Sequence, residues 1–238
     1  MTPEPVLARQ LVLANRILYA RGVVDGFGHV SVRQPGQPGQ ADTFLLSRSR
    51  APALIEEADV GCYGLDGEAL EGTTGKPYLE RFIHSGIYRA RPDVMAVVHS
   101  HSPSVIPFGI TGQRLRPVFH MSGFLGGGSA HFEIRDTAGD SDLLIRSPAL
   151  GKALAASLGD CACVLMRGHG STVVGASLQH AVYRAVYTEV NARLQAAAMA
   201  LGPPTYLTRA EAALAAAAND PQIPRAWALW AHELGLAP

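Results

Sequence analysis

Two short apolar runs that each lead into histidine constrain this chain more than any other feature: "VMAVVHSHS" at 94–102 and "CACVLMRGHGSTVVG" at 161–175. Apolar stretches this short and this rich in valine read as strands, and a continuous apolar run reads as a strand covered on both faces. Such strands need helices on either side, and the chain supplies them. "PVLARQLVLANRILYARGVV" has apolar residues at helical spacing and stops near Gly22. "KPYLERFIHSGIYRARPDV" sets Leu79, Phe82, Ile83 and Ile87 on one side and closes at Pro92. "SPALGKALAASLG" and "SLQHAVYRAVYTEVNARLQAAAMALG" continue the pattern, which breaks at Pro203-Pro204 and then resumes. Shorter extended runs, "HVSVR", "TFLLSR", "DVGCYGLDGEAL" and "HFEIRD", fill the intervals, with Asp66-Gly67 placed for a tight turn. The expected class is α/β, with helices flanking a central mixed or antiparallel sheet.

A chain of 238 residues, 47% hydrophobic and 17% charged, suits one domain over 1–238. Lys plus Arg equals Asp plus Glu at 20 each, which leaves no basic face of the kind nucleic acid demands. No run approaches the roughly 20 apolar residues of a membrane span, and "MTPEPVLARQ" lacks the order of a secretory signal. The expectation is a soluble cytoplasmic protein with no nucleic-acid or membrane partner. Cys62, Cys161 and Cys163 match neither a disulfide framework nor a CxxC pair and are expected to be free thiols.

On a strand, His99 and His101 project to one face, so their rings can converge on one point. His169, between Gly168 and Gly170 at the end of the second run, can turn sharply and aim its ring at the same region. Three imidazoles with no nearby cysteine match an open, three-ligand catalytic metal site. Zinc and manganese both accept such donors. The alternative is polar residues at strand ends facing water. Glu80, close upstream of the His99 strand, is a candidate acid/base or fourth ligand, against the reading of an ordinary solvated helix glutamate. His84, one turn on, is expected at the helix surface.

These residues, as "KPYLERFIHSGIYRARPDVMAVVHSHSPSVIPFG" followed by "MRGHG", resemble the class II aldolase/adducin family, as do "DGFGHVSVR" and "FLLSRSRAPALIEEADV". The resemblance spans roughly residues 5 to 200. It implies a three-layer α/β/α fold, His99, His101 and His169 as ligands of one divalent metal ion per subunit, Glu80 as acid/base, and a homotetramer. His29 stands where the family's sugar-phosphate aldolases usually carry Asn, and "SRSRAP" replaces a small phosphate-cradling loop. Guanidinium pairs with carboxylates as readily as with phosphates. "GHVS", "SRSRAP", "ERFIH" and "VFHMSGFLG" are similar to the branch that decarboxylates hydroxylated aromatic or pyridine dicarboxylates. In that reading His29, Ser47, Arg48, Arg50 and His120 bind a small carboxylate, with Glu56 or Glu57 as alternative partners for the arginines. Two other readings are a sugar-phosphate aldolase or epimerase, and a non-catalytic adducin-like interaction module.

Overall fold

The structure is a computed structural model that describes residues 2–236. Its frame is one seven-stranded sheet of β1 (His29–Gln34), β2 (Thr43–Ser47), β3 (Val60–Gly64), β4 (Ala96–Ser100), β5 (Ala130–Phe132), β6 (Cys163–Met166) and β7 (Gly170–Gly175). The order is β3-β2-β1-β4-β7-β6-β5, antiparallel throughout except for the parallel β5–β6 pair. The sheet is therefore mixed, as expected. The second apolar run is a hairpin rather than a single strand, with its turn at Arg167–His169.

Alternation along the strands divides the core in two. Val30, Val32, Leu45, Ala96, Val98 and Val173 face α1 (Pro5–Ala20), α6 (Leu178–Leu201) and α8 (Ile223–Glu233). Phe44, Leu46, Val97, Val164 and Val174 face α2 (Arg81–Ala90) and α5 (Pro148–Leu158). The result is the three-layer α/β/α sandwich. The remaining helices are α3 (Ile106–Ile110), α4 (Arg135–Ala138) and α7 (Arg209–Asn219). Local chemistry fixes several helix starts. The Glu4 carboxylate accepts from Val6 and Leu7 N–H, the Ser147 and Ser177 hydroxyls cap α5 and α6, and Thr208 and Glu211 form a capping box on α7.

Strand pairing sets the register that matters most. His29 lies opposite His99, and His99 opposite Thr172. Buried Arg33 ties the sheet to the end of α2, donating to Val94 O, Tyr88 O and Arg91 O and pairing with Asp42 at 2.8 Å. Its charge is thereby satisfied inside the core.

Helix α2 begins later than the hydrophobic pattern predicts. Residues 76–80 stay outside it because Pro77 disfavours helix in the residue before it, and because Ser49 N–H donates to Lys76 O at 2.7 Å while the Tyr78 hydroxyl donates to Arg50 O at 2.6 Å. Leu79, expected on the apolar side, is instead 50% exposed. Cys62 and Cys163 are buried free thiols and Cys161 is half-buried. Among the described residues no helix is long and apolar enough to cross a membrane.

Helices α2 and α5 touch through glycine. A Cβ on Gly86 would overlap Gly151 O, and one on Gly151 would overlap Phe82 O. A Gly→Ala change inside a helix ordinarily gains up to about 1 kcal/mol, whereas overpacking costs about 1–3 kcal/mol. Gly86→Ala is therefore expected to lower the urea-unfolding free energy by roughly 1–2 kcal/mol. A gain in stability would show that the two helices separate freely.

Candidate active site

The end of β4 and the β6–β7 turn bring three imidazoles together. His99 Nε2 lies 3.3 Å from His101 Nε2, and His101 Nε2 lies 3.1 Å from His169 Nε2. Glu80 Oε2 stands 3.7 Å from His99 Nε2 and 3.5 Å from His169 Nε2. One ligand atom from each of the four residues lies within 4.8 Å of the others. Two glycines make the approach possible. Gly168 has φ +66°, and a Cβ on Gly170 would overlap Ser100 O.

Hydrogen bonding fixes part of this cluster. His169 Nδ1 sits 3.0 Å from Leu143 O, which fixes that nitrogen as the donor and leaves Nε2 bare in the neutral ring. A hydrogen on His101 Nε2 can point at His169 or at His99, not at both. Three ring nitrogens and one carboxylate oxygen converge on one small region, all within 4.8 Å of one another. Burial holds His99 well below its usual range and also lowers His101, which favours the neutral form of both rings. Burial alone would raise the Glu80 carboxyl, but its neighbours His169 and His99 and the Ile145 N–H overcome it and bring it to about 2. Neutral imidazoles and an ionised carboxylate are the donor set of a divalent cation. Nitrogens about 2.05 Å from a tetrahedral ion stand about 3.3 Å apart, close to the spacing here. The residues fit a metal ion.

Backbone groups of one loop orient two of the four. Leu143 O holds His169, and Ile145 N–H donates to Glu80 Oε1 at 2.9 Å. Leu143 is the only non-glycine residue with positive φ among the described residues, at +67°, a conformation that costs about 1–2 kcal/mol. Strain is thus concentrated where the site is oriented. Glu80, expected within the helix, is the residue just before α2 and is buried, so it is not a solvated helix glutamate.

The cluster opens onto a cavity of about 390 Å³, walled by Phe27, His29, Arg50, Tyr78 and Leu79. The His29 and Tyr78 ring centroids are 4.5 Å apart. A cleft of equal volume near Arg91, Asp93 and Arg184 includes no histidine in its wall. Of the expected carboxylate-binding residues, His29 and Arg50 line the cavity, whereas Ser47, Arg48 and His120 do not. Ser47 is buried at the end of β2, and Ser49 takes the lining position. His120 is exposed, with its carbonyl held by Asn219. Arg48 turns to Asp59, its Nε 2.5 Å from Oδ1, and the same carboxylate takes Arg50 Nη1 at 2.6 Å through Oδ2. The expected partners Glu56 and Glu57 are secondary; Glu56 reaches Arg50 only at 3.7 Å. His84, expected at the surface, is fully buried and lies 2.6 Å from both His29 Nδ1 and Ser31 Oγ. The spacing of His84 and Tyr88 opposite His29 and Ser31 was the available signal for that burial.

Comparison with known proteins agrees with this geometry. The model for the class II aldolase and adducin N-terminal domain matches residues 9–196. The chain is 38% identical to decarboxylase tropJ of Talaromyces stipitatus, over 98% of this chain and 95% of that protein. It is 33% identical to the 3,4-dihydroxyphthalate decarboxylase of Arthrobacter keyseri, over 77% of this chain and 75% of that one. A crystal structure of an aldolase II superfamily protein from Pseudomonas syringae superposes with a TM-score of 0.80 at 24% identity, covering 98% of this chain and 94% of its own.

The Asp59 bridge yields a pH test. Burial would raise the Asp59 carboxyl, but hydrogen bonds from Arg48, the Glu56 amide and Arg50 hold it at about 2. A depressed folded pKa means stability that is complete above about pH 4 and lost as pH falls to about 2. Discounted for the partly exposed arginines, it amounts to about 1–2 kcal/mol. Asp59→Asn is expected to lose that amount at pH 7 and to flatten the fall in stability between pH 4 and 2, measured by urea unfolding across pH. An unchanged acid limb would remove the bridge from the account.

Proposed function

This chain belongs to the class II aldolase and adducin family, and on that premise we propose that it is a divalent-metal-dependent carbon–carbon lyase, a decarboxylase of a small hydroxylated aromatic or heteroaromatic carboxylate. The observation that carries the proposal is the cluster of His99, His101, His169 and Glu80, of which His99, His101 and Glu80 line a cavity that also presents Arg50 and His29. Relatives that cover most of the chain bear the names of decarboxylases, which supports carboxy-lyase chemistry over aldol cleavage.

His99, His101 and His169 would hold the ion, one per subunit, zinc or manganese. When bound, it supplies positive charge to a substrate oxygen that gains electron density as the carbon–carbon bond breaks. Arg50 pairs with a substrate carboxylate while Asp59 keeps its guanidinium in place. Exposed Phe27 and Leu79 give an aromatic ring an apolar surface at the cavity mouth. Glu80, its Oε1 fixed by Ile145 N–H, has Oε2 available to take the substrate hydroxyl proton. Carbon dioxide departs without the bonding electrons, and Glu80 delivers the proton to the ring carbon that keeps them. The product oxygen regains a proton from water.

The proposal includes a single domain over 1–238, a homotetramer and a cytoplasmic location. An aldolase would need a backbone phosphate cradle where Arg50 and Tyr78 stand, and an adducin-like module has no use for a complete donor set.

Metal analysis of protein purified without added metal, followed by carbon dioxide release from 3,4-dihydroxyphthalate and pyridine dicarboxylates, tests the reading. His99→Ala is expected to lose both metal and turnover. Glu80→Gln is expected to keep metal but slow turnover by on the order of 100-fold; full activity would remove its role. Arg50→Ala is expected to raise KM for a dicarboxylate by about 10-fold or more and to affect the monocarboxylate analogue much less. Equal effects would contradict the carboxylate contact.

A further inference from the structure

Strand β1 and helix α2 face each other with matched spacing. His29 and Ser31 are two apart on a strand, His84 and Tyr88 four apart on a helix, so each pair shares a face. The four side chains form one line. His29 Nδ1 is 2.6 Å from His84 Nε2, His84 Nδ1 is 2.6 Å from Ser31 Oγ, and Ser31 Oγ is 2.7 Å from the Tyr88 hydroxyl. All four residues are buried, and His29 alone among them lines the cavity.

The closed end of the line sets its direction. Among the described residues, Ser31 Oγ is the side-chain or backbone acceptor that the Tyr88 hydroxyl reaches. Were Ser31 to donate to Tyr88 instead, the phenol hydrogen would be buried with no acceptor, a large penalty. Tyr88 therefore donates to Ser31, and Ser31 donates to His84 Nδ1. That nitrogen is then bare, so the His84 hydrogen sits on Nε2 and points at His29 Nδ1. His29 Nδ1 is bare in turn, and its hydrogen sits on Nε2, the nitrogen left for a guest. Both rings are buried, His84 completely, where an added charge is costly.

We propose that the buried Tyr88–Ser31–His84 line is a polarity lock that makes His29 a fixed Nε2–H donor, so that the cavity selects an unprotonated carboxylate oxygen there over a group that must itself donate. Tyr88, Ser31 and His84 are positioning residues, because they act only through His29. The selectivity rests on the carboxylate-binding reading of the cavity, whereas the tautomer claim does not.

Long-range proton–nitrogen NMR of the histidine rings in zinc-loaded protein is expected to find both His29 and His84 with hydrogen on Nε2. Hydrogen on His29 Nδ1 would overturn the lock. Ser31→Ala removes the donor to His84 and is expected to give mixed His29 tautomers, with metal content unchanged. It should also weaken calorimetric binding of phthalate, a dicarboxylate that does not react, by on the order of 10-fold. Ser31→Thr keeps the hydroxyl and is expected to restore both. Wild-type affinity in Ser31→Ala, or no phthalate binding to the wild-type protein, would overturn the selectivity. Failure to release carbon dioxide from any hydroxyaromatic acid would count against the decarboxylase reading while the tautomers still decide the lock.

Discussion

The pairing of β4 with its two neighbours is the constraint on which the site depends. Because His29, His99 and Thr172 lie in register across three adjacent strands, the sheet places a row of polar side chains on its α2/α5 face. A one-residue slip of β4 would turn His99 toward α1 and α6 and destroy the cluster. Val97 and Val98 are buried in different halves of the core, so β4 is covered on both faces, and the polar His99 beside them distinguishes one register from the other. Gly170 completes the arrangement by letting the β6–β7 turn press against the end of β4.

Around that register the chain spends polar interactions where burial would otherwise be costly. Arg33 is satisfied by three carbonyls and Asp42, and Asp59 by two guanidiniums and a backbone amide. His84 is satisfied by His29 and Ser31. The last two networks join a cavity-lining side chain, Arg50 or His29, to a neighbouring element. The four-group cluster is different: its three ring nitrogens and carboxylate face one another at 3.1–3.7 Å. Such a convergence of donor atoms suits a divalent cation.

Much of this was readable from residue order, for identifiable reasons. The histidines announced themselves because HxH on a strand and GHG in a turn are local patterns whose direction follows from backbone geometry. The helices and most strands followed from periodicity. The later start of α2 was harder, because the side-chain and backbone bonds that hold residues 76–78 come from the loop after β2, far away in sequence. His84 looked like a surface residue because its partners lie on β1, more than fifty positions upstream. Arg48 looked like a substrate ligand because Asp59, which claims it, is indistinguishable in sequence from neighbouring Glu56 and Glu57. The contributions of Leu143 O and Ile145 N–H leave no mark on residue type at all, since every residue carries those groups.

X-ray absorption at the metal edge of the metal-loaded protein tests most directly whether His99, His101 and His169 share one cation. The account predicts a shell of nitrogen and oxygen donors with the multiple-scattering signature of about three imidazoles and no sulfur. A sulfur shell, or a signal from one imidazole or none, would contradict it.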